Sequence, residues 1–235
     1  MRTEIIAEIG QNHNGDMKLA ETLIRIAKDS GADVAKFQVY DAKALFPPRE
    51  QNQWFDYNCK TELKKHDVYR LYEYCSKVGI EFMASVFDLE RLEWLEEIDI
   101  KRYKVASRSI HDMSLLSGLA GTNKPLIVSL GHWRNNELPV ISTEAKVDFL
   151  YCISKYPTPL SELNLKQVDF KKYSGFSDHS EGISAACASI VLGSGILEKH
   201  LTLDKSAFGP DHACSMTPDD LSEINVFRND WEMLR

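Results

Sequence analysis

Lys36 and Lys104 stand inside short apolar runs, DVAKFQV (33–39) and RYKVAS (102–107), that read as parallel strands. A lysine in such a run is costly unless an anion or a carboxylate meets it. Hydroxyls close or follow the neighbouring runs: Ser85, Ser107, Ser129, Ser154 and Ser177. Positive charge beside several donors is what a phosphate requires. His179 follows Ser177-Asp178, and His200 follows Glu198 by two residues. Two imidazoles near a carboxylate such as Glu8 can hold one divalent ion with open positions, and such donors suit Mn2+, Co2+, Fe2+ or Zn2+. Gln38 shares a strand face with Lys36.

These residues also have plainer readings. Either histidine alone can be a hydrogen-bonded structural residue. The lysines can pair with Glu8 or Glu198. Glu198 lies one layer below His200 on the same face and reads as a member of a buried network. Asn12, His13 and Asn14 can be turn chemistry between Gly10 and Gly15. Trp54, Phe55 and Tyr57 read as a packed lid, with sugar stacking as the alternative. The cysteines read as core fillers.

Eight strands would position this set: 4–10, 33–39, 81–87, 102–107, 125–130, 147–153, 173–177 and 196–201. Helical stripes lie between several of them, at Leu19/Leu23/Ile26/Ala27, Val68/Leu71/Tyr72/Cys75, Ile183/Ala186/Cys187/Ile190/Val191 and Leu221/Ile224/Phe227/Trp231. Asp88 and Thr217 are the expected N-caps, with Pro218 at the first helical position. Strict alternation predicts an α/β fold, a (β/α)8 TIM barrel spanning 1–235 as one domain; a doubly wound open sheet is the alternative. Chemistry then belongs at the C-terminal strand ends, where these polar residues fall. Residues 130–146 contain Pro139 and leave little room for a helix, so the fifth helix is expected to be short or missing. Residues 41–65 read as one long irregular segment. Lys104 and Ser107 have opposite parity, so strand four must end or bulge between them.

The 235 residues carry a formal net charge of −7, which argues against nucleic acid or acidic membrane as partner. Five cysteines without a CxxC pair exclude a disulfide framework, and no run is long enough to span a membrane. No signal peptide is visible, so a cytoplasmic location is expected.

The strings AEIGQNHNG (7–15), AKFQ (35–38), YKVAS (103–107), YPTP (156–159), SDHSEG (177–182), LEKHLTLD (197–204) and GPDHACSMTPDDL (209–221) occur in order along nearly the whole chain. In them the chain resembles the N-acetylneuraminate (sialic acid) synthase family. The resemblance implies condensation of phosphoenolpyruvate with an N-acetylmannosamine-like sugar aldehyde, giving a 2-keto-3-deoxy sugar acid and phosphate. It implies His179 and His200 as ligands of a divalent metal, Mn2+ foremost and Mg2+ or Co2+ as substitutes, with Glu8 nearby. Lys36, Ser85, Lys104, Ser107, Ser129 and Ser177 would clamp phosphoenolpyruvate, joined by Ser154 where some members carry an asparagine. Gln38, Tyr156 and Asp211 would meet the sugar. A homodimer is implied too, because the family's C-terminal antifreeze-like domain reaches over the partner's barrel. This sequence stops at Arg235, where the barrel ends, so a separate chain is another possible source of that cap. Ser109 stands where the family carries a glutamate, and Ser129-Leu130-Gly131-His132 replaces its STGM. These departures leave two other readings open: a barrel lyase or aldolase acting on a 2-keto or phosphorylated acid, and a non-catalytic phosphoenolpyruvate-binding subunit.

Overall fold

The computed structural model describes residues 2–235. Eight parallel strands close into a barrel in sequence order. They are β1 (Glu4–Gly10), β2 (Val34–Val39), β3 (Glu81–Val86), β4 (Tyr103–Val105), β5 (Leu126–Ser129), β6 (Val147–Cys152), β7 (Gly175–Asp178) and β8 (Ile196–His200). Each lies within a residue or two of its expected place. β4 stops at Val105 and a 3-10 turn takes Ser107–Ser109, which resolves the parity conflict between Lys104 and Ser107.

The helices are α1 (Met17–Asp29), α2 (Ala42–Leu45), α3 (Phe55–Thr61), α4 (Lys65–Val78), α5 (Leu89–Glu97), α6 (Met113–Gly121), α7 (Ser184–Val191) and α8 (Pro218–Leu234). Aspartates begin several of them: Asp16, Asp41, Asp88 and Asp112 each accept first-turn N–H groups. Thr217 and Asp220 close a capping box on α8. No helix links β5 to β6, as expected. Two expectations need correction. The link from β6 to β7 also lacks an α-helix, holding only 3-10 turns at Leu160–Glu162 and Leu165–Gln167. Pro157 and Pro159 restrict its start, and Asn164, at φ 48°, breaks any turn that forms. Residues 41–65 are not irregular throughout, because α2 and α3 form a folded lid there. None of the described helices is long and apolar enough to cross a membrane.

Strand alternation divides the molecule into layers. Outward residues such as Ile5, Phe37, Phe82, Val128 and Phe176 pack under the helices as the main core. Ile6, Val34, Met83, Ile127, Leu150 and Ile196 fill the barrel's middle. Below them Arg102 pairs with Glu4 and Glu81. Above them, at the C-terminal end, nearly every inward residue is polar.

The turn from β1 to α1 is turn chemistry only in part. Asn14, at φ 51°, makes the turn, but Asn12 Nδ2 donates to Leu201 O and to Ser215 Oγ, both at 2.9 Å. His13 Nδ1 accepts from Gly15 N at 3.1 Å, which leaves the proton on a buried Nε2 without a partner. Burial lowers the His13 pKa from 6.5 to about 4. Between those values the unfolded chain binds a proton that the folded chain refuses, so stability falls as pH falls through this window. The contribution is about 3 kcal/mol. Urea unfolding at pH 7 and pH 4 should show the wild type losing about that much more stability than His13→Leu. Equal losses would contradict a neutral buried ring.

Candidate active site

Two lysines and two glutamates meet at the top of the barrel. Lys36 Nζ lies 2.8 Å from Glu8 Oε2 and 3.8 Å from Glu198 Oε2. Lys104 Nζ lies 3.6 Å from Glu198 Oε1. Serines complete the ring. Lys36 donates to Ser85 Oγ at 3.2 Å and Lys104 to Ser129 Oγ at 2.6 Å, while Ser177 Oγ donates to Glu198 at 2.9 Å. Register explains the meeting. Glu8 pairs across strands with Lys36 and with His200, Ser85 with Lys104, and Ser177 with Glu198. All four charged groups are buried. For Lys36, burial opposes the charge, but Glu198 and Glu8 outweigh it and the pKa rises. For Lys104, burial prevails over Glu198, helped by Lys36, and the pKa falls. Burial works against the Glu198 carboxylate too, yet Lys104 and Lys36 hold it well below the usual range.

Glu8 Oε2 is met by the Lys36 ammonium at 2.8 Å, whereas Glu198 Oε2, 3.8 Å from the same nitrogen, is a buried acceptor without a hydrogen-bond donor. Gln38 Nε2 donates to the other Glu8 oxygen at 2.9 Å. The lysines are thus held by carboxylates, the plainer of the two readings their sequence positions allowed, and Glu198 is the network member expected.

His179 and His200 stand on adjacent strand ends with ring centroids 5.7 Å apart. His179 Nδ1 donates to Ile153 O at 3.0 Å, which fixes the ring and leaves Nε2 as a free lone pair. His200 Nδ1 is buried without a hydrogen-bond partner, 3.8 Å from Asp211 Oδ2, and burial lowers the His200 pKa. Burial opposes charge on His179, but the neighbouring Cys152 outweighs it and the pKa rises. Once deprotonated, the two imidazoles suit a divalent ion whose other positions stay open. No third His, Cys, Asp or Glu completes a preformed cage among the described residues. Cys152 is more than a core filler: its Sγ lies 3.7 Å from His179 Nδ1 and 3.5 Å from Ser107 Oγ. All five thiols are free.

Above this floor opens a pocket of about 470 Å3. Gln38, Ser107, Ser154, Tyr156, His200 and Asp211 line it, while Glu8, Lys36, Ser85, Lys104, Ser129, Ser177 and His179 lie beneath or beside it. The Tyr156 ring packs on His179 at 4.1 Å. Gly131 N donates to Ser107 Oγ at 3.0 Å, and a Cβ on Gly131 would stand 2.3 Å from Ser154 Oγ, so these hydroxyls converge because residue 131 has no side chain. A larger groove, about 900 Å3, lies beside α6 where the fifth helix is missing, and no cluster of charged groups converges in it.

The remaining wall comes from residues that their sequence positions did not single out: Gln11, Phe46, Asn52, Asn58, Phe87 and Arg108. Trp54, from the lid, also lines the pocket and packs on Phe208 at 5.2 Å, so it is both lid and wall. A second omission is Lys199, whose Nζ reaches Asp178 Oδ2 at 2.9 Å and Ser180 O at 2.6 Å in complete burial. Its signal was parity: Lys199 points opposite to Glu198 and His200, into the helix-facing core, and Asp178 sits beside it in register.

A profile of the NeuB family matches residues 23–233. The chain belongs to the NeuB family. Among its members, an N,N'-diacetyllegionaminic acid synthase of Campylobacter jejuni is 36% identical over 95% of this chain and 74% of its own length. A human N-acetylneuraminate-9-phosphate synthase is 36% identical over 94% of this chain and 67% of its own. The crystal structure of an N-acetylneuraminic acid (sialic acid) synthetase from Leptospira borgpetersenii, in complex with citrate, superposes with a TM-score of 0.93 at 29% identity. That match covers 100% of this chain and 85% of the other.

In this NeuB-family barrel Asp178 immediately precedes His179 and Lys199 immediately precedes His200. Lys199→Met would strand a buried carboxylate and should cost about 3–5 kcal/mol in chemical unfolding. Adding Asp178→Leu should recover much of that loss, and a double variant no more stable than the single would contradict this role.

Proposed function

We propose that this barrel condenses phosphoenolpyruvate with the aldehyde form of an acetamido sugar, giving a sialic-acid-like 2-keto-3-deoxy sugar acid and phosphate. One observation carries the reading: Lys36 and Lys104 meet among serines directly below the histidine pair, in a chain of the NeuB family. In the reaction, C3 of phosphoenolpyruvate bonds to the aldehyde carbon, and the aldehyde oxygen takes up a proton. Water then adds at C2, and the C2–O bond to phosphate breaks with the electron pair leaving on phosphate.

The chain's own residues would bind and orient. Lys36 and Lys104 offer ammonium protons, and Ser107, Ser154 and Ser129 offer hydroxyls to the anion. Gln38, Tyr156 and Asp211 line the side where the sugar would enter. The two glutamates already balance the two lysines, so the charge of phosphoenolpyruvate needs further cations nearby. His179 and His200 would hold a divalent ion, Mn2+ foremost, which supplies Lewis acidity when bound. Ser109, buried in the same 3-10 turn as Ser107, has no carboxylate to offer, which favours a barrel lyase or aldolase as the second reading.

With Mn2+ and phosphoenolpyruvate, a panel of N-acetylmannosamine-like aldehydes should release phosphate, and mass spectrometry should find the combined carbon skeleton. His200→Ala should lower kcat by at least about a hundredfold, as loss of an electrostatic stabiliser does. Metal-replete protein that releases no phosphate with any aldehyde of the panel rules the condensation out. A product with a different carbon skeleton favours the second reading.

A further inference from the structure

Arg108 lines the pocket beside Ser107 and belongs to none of the floor's ion pairs. Among the described residues no carboxylate lies within the 4.0 Å of an ion pair from its guanidinium. It is nevertheless held in place. Its carbon centre sits 4.9 Å from the Phe46 ring, and Nη2 donates to Leu45 O at 3.2 Å. Both contacts come from the lid, and they leave the exposed guanidinium with most of its donors open to solvent or a ligand. Tyr156 lies within its electrostatic reach.

The other walls differ. Gln11, Gln38, Asn52 and Asn58 bring amides, and Trp54 and Phe87 bring aromatic faces. Such groups suit a neutral, hydroxyl-rich ligand. Asp211, beside His200, is the acidic residue on the opposite wall. The pocket therefore has a body of amides and aromatic faces, one acidic wall, the imidazoles of His132 and His200, and one arginine. The floor lysines are compensated by Glu8 and Glu198, whereas Arg108 is not.

We infer that Arg108 is a specificity-determining residue that binds an anionic group, phosphate or carboxylate, on the acceptor aldehyde at the end remote from its reacting carbonyl. The inference rests on the condensation proposed above and narrows its acceptor to a charged sugar. A guanidinium fork matches either oxyanion bidentately, and fixing it by stacking lowers the entropy lost on binding.

Steady-state kinetics on three acceptors tests this: N-acetylmannosamine, its 6-phosphate and the corresponding 6-carboxylate. The wild type should favour one or both anionic acceptors by at least tenfold in kcat/KM, and the better of the two names the oxyanion. Arg108→Ala should reduce the anionic-over-neutral ratio at least tenfold, chiefly through the acceptor's KM, and Arg108→Lys should restore part of it. The inference is overturned if the wild type prefers the neutral sugar, or if Arg108→Ala raises KM for phosphoenolpyruvate instead. Calorimetry with the unreactive reduced sugar 6-phosphate and 6-carboxylate separates this failure from failure of the condensation. Binding to the wild type that Arg108→Ala abolishes supports the anion site even if no aldehyde reacts. No binding of either to the wild type overturns it.

Discussion

Four charges buried together near the C-terminal end of the barrel govern the upper half of this protein. Lys36 and Lys104 could not stay ionised there alone, and neither could Glu8 and Glu198. Together they form a neutral quartet, with Lys36 between both carboxylates and Lys104 on Glu198. Parallel strands make the quartet possible, because register places Glu8 beside Lys36 and Glu198 beside Ser177. A buried quartet of this kind is a weak source of stability, since apolar residues of similar volume would serve as well or better. Its incomplete geometry points instead to binding. Glu198 Oε2 lacks a hydrogen-bond donor, and His200 Nδ1 above it lacks any hydrogen-bond partner.

Much of this was legible before any coordinates. The strands announce themselves as apolar runs, and parity then says which side chains share the interior. Lys36, Ser85, Glu198 and His200 follow from that rule, and the structure places them together. What sequence could not supply was the third dimension of charge. Whether Lys36 meets Glu8 depends on the register of β1 against β2, and whether it also meets Glu198 depends on closure of the barrel by β8. The link from β6 to β7 misled for another reason. An alternating fold predicts a helix there, but Pro157, Pro159 and Asn164 act locally and override the global pattern. Arg108 was visible only as a neighbour of Ser109. Its unpaired state becomes visible once the lid is seen folded over it.

The lid also joins parts of the chain that sequence separates. α2 brings Phe46 to Arg108, and α3 brings Tyr57 to the β1 loop, where its hydroxyl lies 2.9 Å from Gln11 O and 2.7 Å from Asn14 Oδ1. Phe208, from the segment after β8, packs on Trp54 and Tyr57. The pocket mouth is therefore built by contacts between loops, while the floor is built by strands. Loops supply variation and strands supply precision, so under the proposed condensation the acceptor would be selected at the mouth and the reaction carried out at the floor.

A crystal structure of the protein soaked with phosphoenolpyruvate and Mn2+ tests the central claim most directly. The account predicts phosphoenolpyruvate oxygens within hydrogen-bond distance of both Lys36 and Lys104, with the metal on His179 and His200. Phosphoenolpyruvate bound away from the floor, or absent at saturating concentration with both lysines still held by Glu8 and Glu198, would contradict it.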